Sequence, residues 1–242
     1  MNLSAWGPVV VVGRLGGGHR NSVLEVRSPG GPRLVARRSR RPADALDWEL
    51  DLLSFLAARG FLVPSVVPTV DGRRHVDGVV VQEWLPGREP AGPEWPLVAA
   101  ELRRLHAVTR SWPQRPGFRS TAELLVHDSG GDVDLRAMPS AAVAACRRAW
   151  RALSAESAVV HGDPCAANVR VSSAGVGFLD WDEARVDHPD LDLADLPGAG
   201  QPGAELPEPR GRIARAAVHA WEAAAGWRLE PEYARRRLAE LG

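Results

Sequence analysis

The segment from Ala158 to Leu196, AVVHGDPCAANVRVSSAGVGFLDWDEARVDHPDLDLADL, constrains the chain more than any other. A short β-branched run, Val159-Val160, leads into His161-Gly162-Asp163, and Asn168 follows five residues after Asp163. A second apolar run, Val176 to Leu179, then delivers Asp180. Two carboxylates and an amide at the ends of short strands suit holding a divalent ion and orienting a hydroxyl. That is the equipment of phosphoryl transfer. Asp163, at a glycine turn after a strand, is placed to accept a proton from an attacking hydroxyl. Asn168 and Asp180 supply the hard oxygen donors that Mg²⁺ prefers.

The remainder reads as an α+β chain. Strands are expected at Pro8–Val12, Val23–Val26, Arg33–Arg38, Val66–Val70 and Val79–Gln82, separated by Gly/Pro turns. Between the first two lies GRLGGGHRNS, where Gly13, Gly16, Gly17 and Gly18 let a hairpin backbone approach a ligand with N–H groups free for phosphate. A flexible hairpin explains the same glycines equally well. A helix is expected from Ala43 to Arg59, with Leu46, Leu50 and Leu53 as its buried stripe. Glu49 falls inside that stripe. A carboxylate there is unfavourable by several kcal/mol unless paired, and the third strand offers Arg37 or Arg38 as partner; the alternative is a Glu49 at the stripe's edge that reaches water.

Glu83-Trp84-Leu85-Pro86-Gly87 breaks the strand pattern, and nearly everything apolar afterwards is helical in period. The boundary of a first lobe, 1–85, from a second, 86–242, is placed here, with backbone that could hydrogen-bond a purine. Helices are expected from Pro96 through Leu105, at Ala122–Val126, at Ala141–Leu153, at Ile213–Ala225 and at Pro231–Leu241, with a loop at Pro197–Pro209. His106 reads as a packing or capping residue.

Composition excludes some chemistries. The formal net charge is +0, so no global charge draws the chain to nucleic acid or an anionic membrane. All basic residues are arginine, which rules out a P-loop of the G-x-x-x-x-G-K-S/T type. Two cysteines, Cys146 and Cys165, are too few for a disulfide framework or zinc site. With no apolar run of membrane-spanning length and no signal-peptide pattern, a cytoplasmic protein is expected, as monomer or dimer. Charge is nevertheless uneven: residues 1–41 hold eight Arg and one acid, whereas residues 180–195 hold seven acids. These runs could meet phosphate and metal or a cationic substrate, or be two solvated faces.

HGDPCAAN, GFLD from Gly177 to Asp180, and Asp192-Leu193-Ala194 together resemble the catalytic block of the aminoglycoside phosphotransferase family. The likeness extends to the Gly-rich hairpin, VARR from Val35, the helix with Glu49, and VVVQEWLPG from Val79. The resemblance implies a protein-kinase-like fold: a small N-terminal antiparallel sheet with one helix, and a larger, mainly helical C-terminal lobe. It implies ATP or GTP between them, with Mg²⁺. By position Asp163 resembles the catalytic base, Asn168 and Asp180 the metal ligands, and Arg37 and Glu49 the phosphate-binding pair. Gly16, Gly17 and Gly18 match the loop over the phosphates, Glu83 to Leu85 the adenine-binding linker, and Asp192 a brace of the catalytic loop. The expected activity is ATP-dependent transfer to a hydroxyl of a small molecule. A first acceptor is an aminoglycoside-type antibiotic, with resistance as the consequence, and Asp182, Glu183, Asp187 and Asp190 as a candidate acidic wall. Alternatives are a macrolide or another hydroxylated metabolite, or a non-catalytic nucleotide-binding protein of the same fold. The chain departs from the family in carrying Arg for Lys at position 37 and Asp182 where close relatives have Gly.

Overall fold

The computed structural model describes all residues except 17–21, 195, 198–202 and 242. In chain order the elements are β1 (Val10–Arg14), β2 (Ser22–Arg27), β3 (Arg33–Arg38), α1 (Ala43–Ala57), β4 (Val66–Val67), β5 (Val79–Glu83), α2 (Trp95–Val108), β6 (Ser129–Gly130), β7 (Val133–Asp134), α3 (Ser140–Arg151), β8 (Ala158–Val160), β9 (Val169–Ser172), β10 (Gly175–Phe178), β11 (Arg185–Asp187), α4 (Arg210–Gly226) and α5 (Pro231–Ala239). The α+β expectation holds. The chain divides into two compact units, Met1–Glu89 with Ala166–Asp182, and Pro90–Cys165 with Glu183–Gly242.

The first unit is built on a five-stranded antiparallel sheet in the order β1-β2-β3-β5-β4. Strand alternation sorts β3 cleanly. Leu34 and Ala36 join Val26, Val79 and Val81 in a cluster closed by Leu3 and Trp6 from the N-terminal turn, whose Trp6 indole donates to Val67 O at 2.9 Å. Arg37 belongs to the opposite face, with Gln82 across the β3–β5 ladder. α1 buries Leu46, Leu50 and Leu53 as its period requires, and ends before Gly60 at φ 77°. β9 and β10 form a hairpin stitched to this unit at both ends: Arg88 pairs with Val171, and Leu62 with Gly177. The approach at Gly177 is so close that a Cβ would lie 2.8 Å from Leu62 O and from the Leu85 side chain.

The second unit is mainly helical. α3 and α4 pack through a stripe of small residues, Ala217, Ala220 and Ala224, against Cys146 and Trp150. The Trp150 indole donates to Ala217 O at 3.2 Å, and Cys146 Sγ to Ala220 O at 3.6 Å. In α2 the stripe Val98, Leu102 and Leu105 is buried, whereas Leu97 is 57% exposed. No helix among the described residues is long and apolar enough to cross a membrane.

Burial pushes the Cys146 thiol up to about 11, while Cys165 lies exposed in the loop after β8. A thiol-specific disulfide reagent should therefore titrate one cysteine per native chain near pH 8, and two after denaturation. Two rapidly reacting native thiols would contradict this packing.

Candidate active site

The strand pair β8–β11 sets up the HGD loop in the second unit. Val160 opposes Arg185, and Val159 N–H donates to Thr109 Oγ1 at 3.1 Å, tying β8 to the end of α2. The chain then turns at Gly162, φ 90°, where a Cβ would lie 2.7 Å from Glu183 O. Only glycine fits that turn. Asp192 completes it. Its carboxylate, 1% exposed, accepts the N–H groups of His161 at 2.8 Å and Gly162 at 2.9 Å, and a third hydrogen bond from His106 Nε2 at 2.8 Å. His161, fully buried, accepts Asp163 N–H on Nδ1 at 3.3 Å. Histidine and aspartate thus hold the loop backbone and leave the Asp163 side chain exposed at its tip.

Burial works to raise the Asp192 carboxyl, yet the His106 hydrogen bond, the His106 and His161 charges and the Gly162 N–H hold it below the ordinary carboxylate range. His106, read from sequence as packing or capping, is therefore a bracing residue. Nothing local marks that role, because its partner lies 86 residues away.

The other site residues fall in the first unit. Arg37 is buried and held by two side chains: Nη2 donates to Glu49 and Nε donates to Gln82 Oε1 at 3.3 Å, while Nη1 is buried with no partner among the described residues. Arg38, the other partner considered for Glu49, is exposed. Glu49, 1% exposed, is thus a buried, paired carboxylate and not an edge residue reaching water. The unsatisfied Nη1 is the kind of group that a phosphate oxygen would satisfy.

β1 carries a bulge between Val11 and Gly13, and Gly16 follows, exposed; a Cβ at either glycine would meet nothing within 4 Å. Packing does not require those glycines. Gly17 and Gly18 lie outside the described residues. At the linker, Trp84 N–H donates to Arg33 O at 3.2 Å and its ring lies under the Arg33 guanidinium at 3.3 Å. Glu83 is exposed with its N–H committed to Ser65 O at 2.8 Å, and Leu85 packs over Gly177.

Asn168 and Asp180 flank the β9–β10 hairpin and are joined through Leu179 N–H, which donates to Asn168 O at 2.8 Å. Asp180 adopts φ 56°, a left-handed conformation unusual outside glycine. Among the described residues no cluster of three or more His, Cys, Asp or Glu side chains could hold a metal by itself. One carboxylate and one amide oxygen do fit Mg²⁺ that takes its remaining ligands from phosphate and water.

The acid run behaves differently from the expected acceptor wall. Asp182 is paired with Arg41, Asp187 with Arg185, Thr121 and His188 N–H, and Asp190 with Arg210. All three are buried, so of the four acids proposed only Glu183 is not consumed by burial.

A model of the phosphotransferase enzyme family matches residues 11–229. The chain belongs to that family. No curated protein sequence gives a significant match. Among solved structures, a provisionally assigned fructosamine-3-kinase from Thermobifida fusca is 18% identical with a TM-score of 0.70, over 96% of this chain and 92% of that one. A thermostable mutant of aminoglycoside phosphotransferase APH(4)-Ia, in ternary complex with ADP and hygromycin B, is 14% identical with a TM-score of 0.67, over 98% and 93%. Amicoumacin kinase hAmiN, in complex with AMP-PNP, Ca²⁺ and Ami, is 16% identical with a TM-score of 0.60, over 96% and 79%. The phosphotransferase accordingly has a kinase-like fold.

Removing one member of a buried ion pair strands the other. Glu49→Ala should lower stability by about 3–5 kcal/mol, or Tm by roughly 10 °C, while Arg37→Met with Glu49→Leu should recover most of it. A single-variant loss below about 1 kcal/mol in denaturant titration would contradict the buried pair. For Asp192, the depressed folded pKa makes its stabilisation complete above the unfolded value of about 4 and lost as pH falls through the lower folded value. The stability gap between wild type and Asp192→Asn should hence narrow from pH 6 to pH 3. A gap independent of pH would contradict the brace.

Proposed function

We propose that this phosphotransferase moves the γ-phosphate of ATP onto a hydroxyl of a small molecule, with Asp163 as the base. The observation that supports the reading best is the braced HGD loop: a buried Asp192 and a buried His161 accept N–H groups of the loop backbone, and the Asp163 side chain is exposed. In the reaction the acceptor oxygen forms a bond to the γ-phosphorus, the bond from that phosphorus to the β,γ-bridging oxygen breaks, ADP leaves, and the hydroxyl proton goes to the Asp163 carboxylate.

The phosphate-binding role falls to Arg37, held by Glu49 and Gln82 with Nη1 left over, and to the glycine hairpin with Gly16, Gly17 and Gly18. Arginine offers a fork where lysine would offer a point charge, and Glu49 and Gln82 aim that fork by occupying two of its nitrogens. Adenine binding is assigned to backbone groups from Glu83 to Leu85. Asn168 and Asp180 would hold Mg²⁺, which when bound supplies charge neutralisation on the phosphates. The left-handed turn at Asp180 fits a carboxylate whose direction matters more than its local conformational preference.

An aminoglycoside-type antibiotic is the first acceptor to test, followed by macrolides, amino sugars and sugar adducts of amines. The support is family membership and the variety of substrates named for proteins of the same fold. The acid run gives no support to a cationic acceptor, since Asp182, Asp187 and Asp190 already serve internal arginines. An ATP-consumption screen over these classes should find one that turns over. In that assay Asp163→Ala should lose transfer by several orders of magnitude; unchanged turnover would sink the assignment. No turnover with any class, despite nucleotide binding, would favour a non-catalytic protein of this fold.

A further inference from the structure

Arg41 lies between β3 and α1, the two elements that carry Arg37 and Glu49. Its Nη2 donates to both the carboxylate of Asp182, at 2.8 Å, and the backbone carbonyl of the same residue, at 3.2 Å. Both side chains are nearly buried, with 12% and 10% exposure. The base of this arm is itself fixed: Arg41 N–H donates to Ser39 Oγ at 3.1 Å, and Ser39 N–H donates to Gly78 O at 2.8 Å. The far end is the residue two past Asp180. Between them Trp181 is clamped, its indole donating to Phe178 O at 3.2 Å and its ring packed edge-on to Phe178.

We propose that the Arg41–Asp182 pair is a positioning device that fixes the strained Asp180 turn so that its carboxylate is preorganised for the metal. This rests on the reading of Asp180 as a metal ligand. Asp180 holds φ 56° with its preceding residue tied to Asn168 and its following residues tied by Trp181 and Arg41. A left-handed aspartate persists only where its surroundings over-determine it. Releasing the Asp182 end would let the turn relax toward ordinary φ and change the direction in which the Asp180 carboxylate leaves the backbone. Arg41 does not touch the metal; it acts through the backbone that carries Asp180.

Electrostatics and positioning make opposite demands here. Removing a cation near an anionic metal site strengthens metal binding by charge alone, whereas loss of preorganisation weakens it. The test is calorimetric titration of AMP-PNP at a series of Mg²⁺ concentrations, using the intact chain. Arg41→Gln should raise the Mg²⁺ concentration for half-maximal nucleotide affinity by about tenfold, the effect of a 1.4 kcal/mol loss. Arg41→Lys, which keeps the charge and one hydrogen bond, should recover part of it, and Arg40→Gln, an equal charge change one residue away, should not reproduce it. An unchanged or tighter Mg²⁺ dependence in Arg41→Gln would overturn the proposal, and if that variant does not fold, an Arg41→Lys protein identical to wild type would do so. Asp180→Ala run in parallel separates the two claims. Metal-dependent binding that survives in Asp180→Ala removes the metal reading and the proposal with it. Binding lost there but normal in Arg41→Gln removes the proposal alone.

Discussion

Asp192 is the residue on which the HGD loop depends. A carboxylate at 1% exposure is tolerable only with its oxygens saturated, and here three donors saturate it: two consecutive backbone N–H groups and a buried imidazole. Those two N–H groups belong to the residues that immediately precede Asp163. The brace therefore sets the backbone direction from which the Asp163 side chain leaves, and Gly162 permits it because no other residue fits the turn. The proposed base is an exposed carboxylate whose backbone is held by a buried one.

The first unit, to which phosphate binding is assigned by proposal, has to hold a buried arginine in a chain without lysine. Arg37 would be prohibitively unfavourable as a lone buried cation; Glu49 neutralises it and Gln82 fixes its plane. The same unit includes the linker and the β9–β10 hairpin bearing Asn168 and Asp180, joined to it by backbone pairing at Leu62 and Arg88. Every residue proposed to bind nucleotide or metal, among those described, thus sits on one compact unit, and the proposed base sits on the other. The chain passes from the proposed base to the first proposed metal ligand within five residues, so this division is built into the HGDPCAAN loop itself.

Much of this was legible in the sequence because it is local. Asp163, Asn168 and Asp180 stand where short strands end, and the period of Leu46, Leu50 and Leu53 placed Glu49 inward. What escaped reading is non-local. β9 and β11 are three or four residues long and include arginines, so no alternation marks them; they exist because they pair with β10 and β8. Gln82 on Arg37, His106 on Asp192 and Arg41 on Asp182 are contacts across 45, 86 and 141 residues. The uneven charge of the chain did hold a signal: one arginine from the basic start answers one acid of the later run. Read as exposed faces, that run suggested an acceptor wall, and burial converts it into internal support.

Nucleotide binding and proton acceptance are assigned to different residues of the chain. The most direct measurement of that separation is calorimetric titration of AMP-PNP with Mg²⁺ into Asp163→Ala. Because the nucleotide contacts are assigned to Arg37, the glycine hairpin, the linker, Asn168 and Asp180, the affinity should match wild type within about twofold, a difference of roughly 0.4 kcal/mol. An affinity reduced tenfold or more in a folded Asp163→Ala protein would contradict the division of labour.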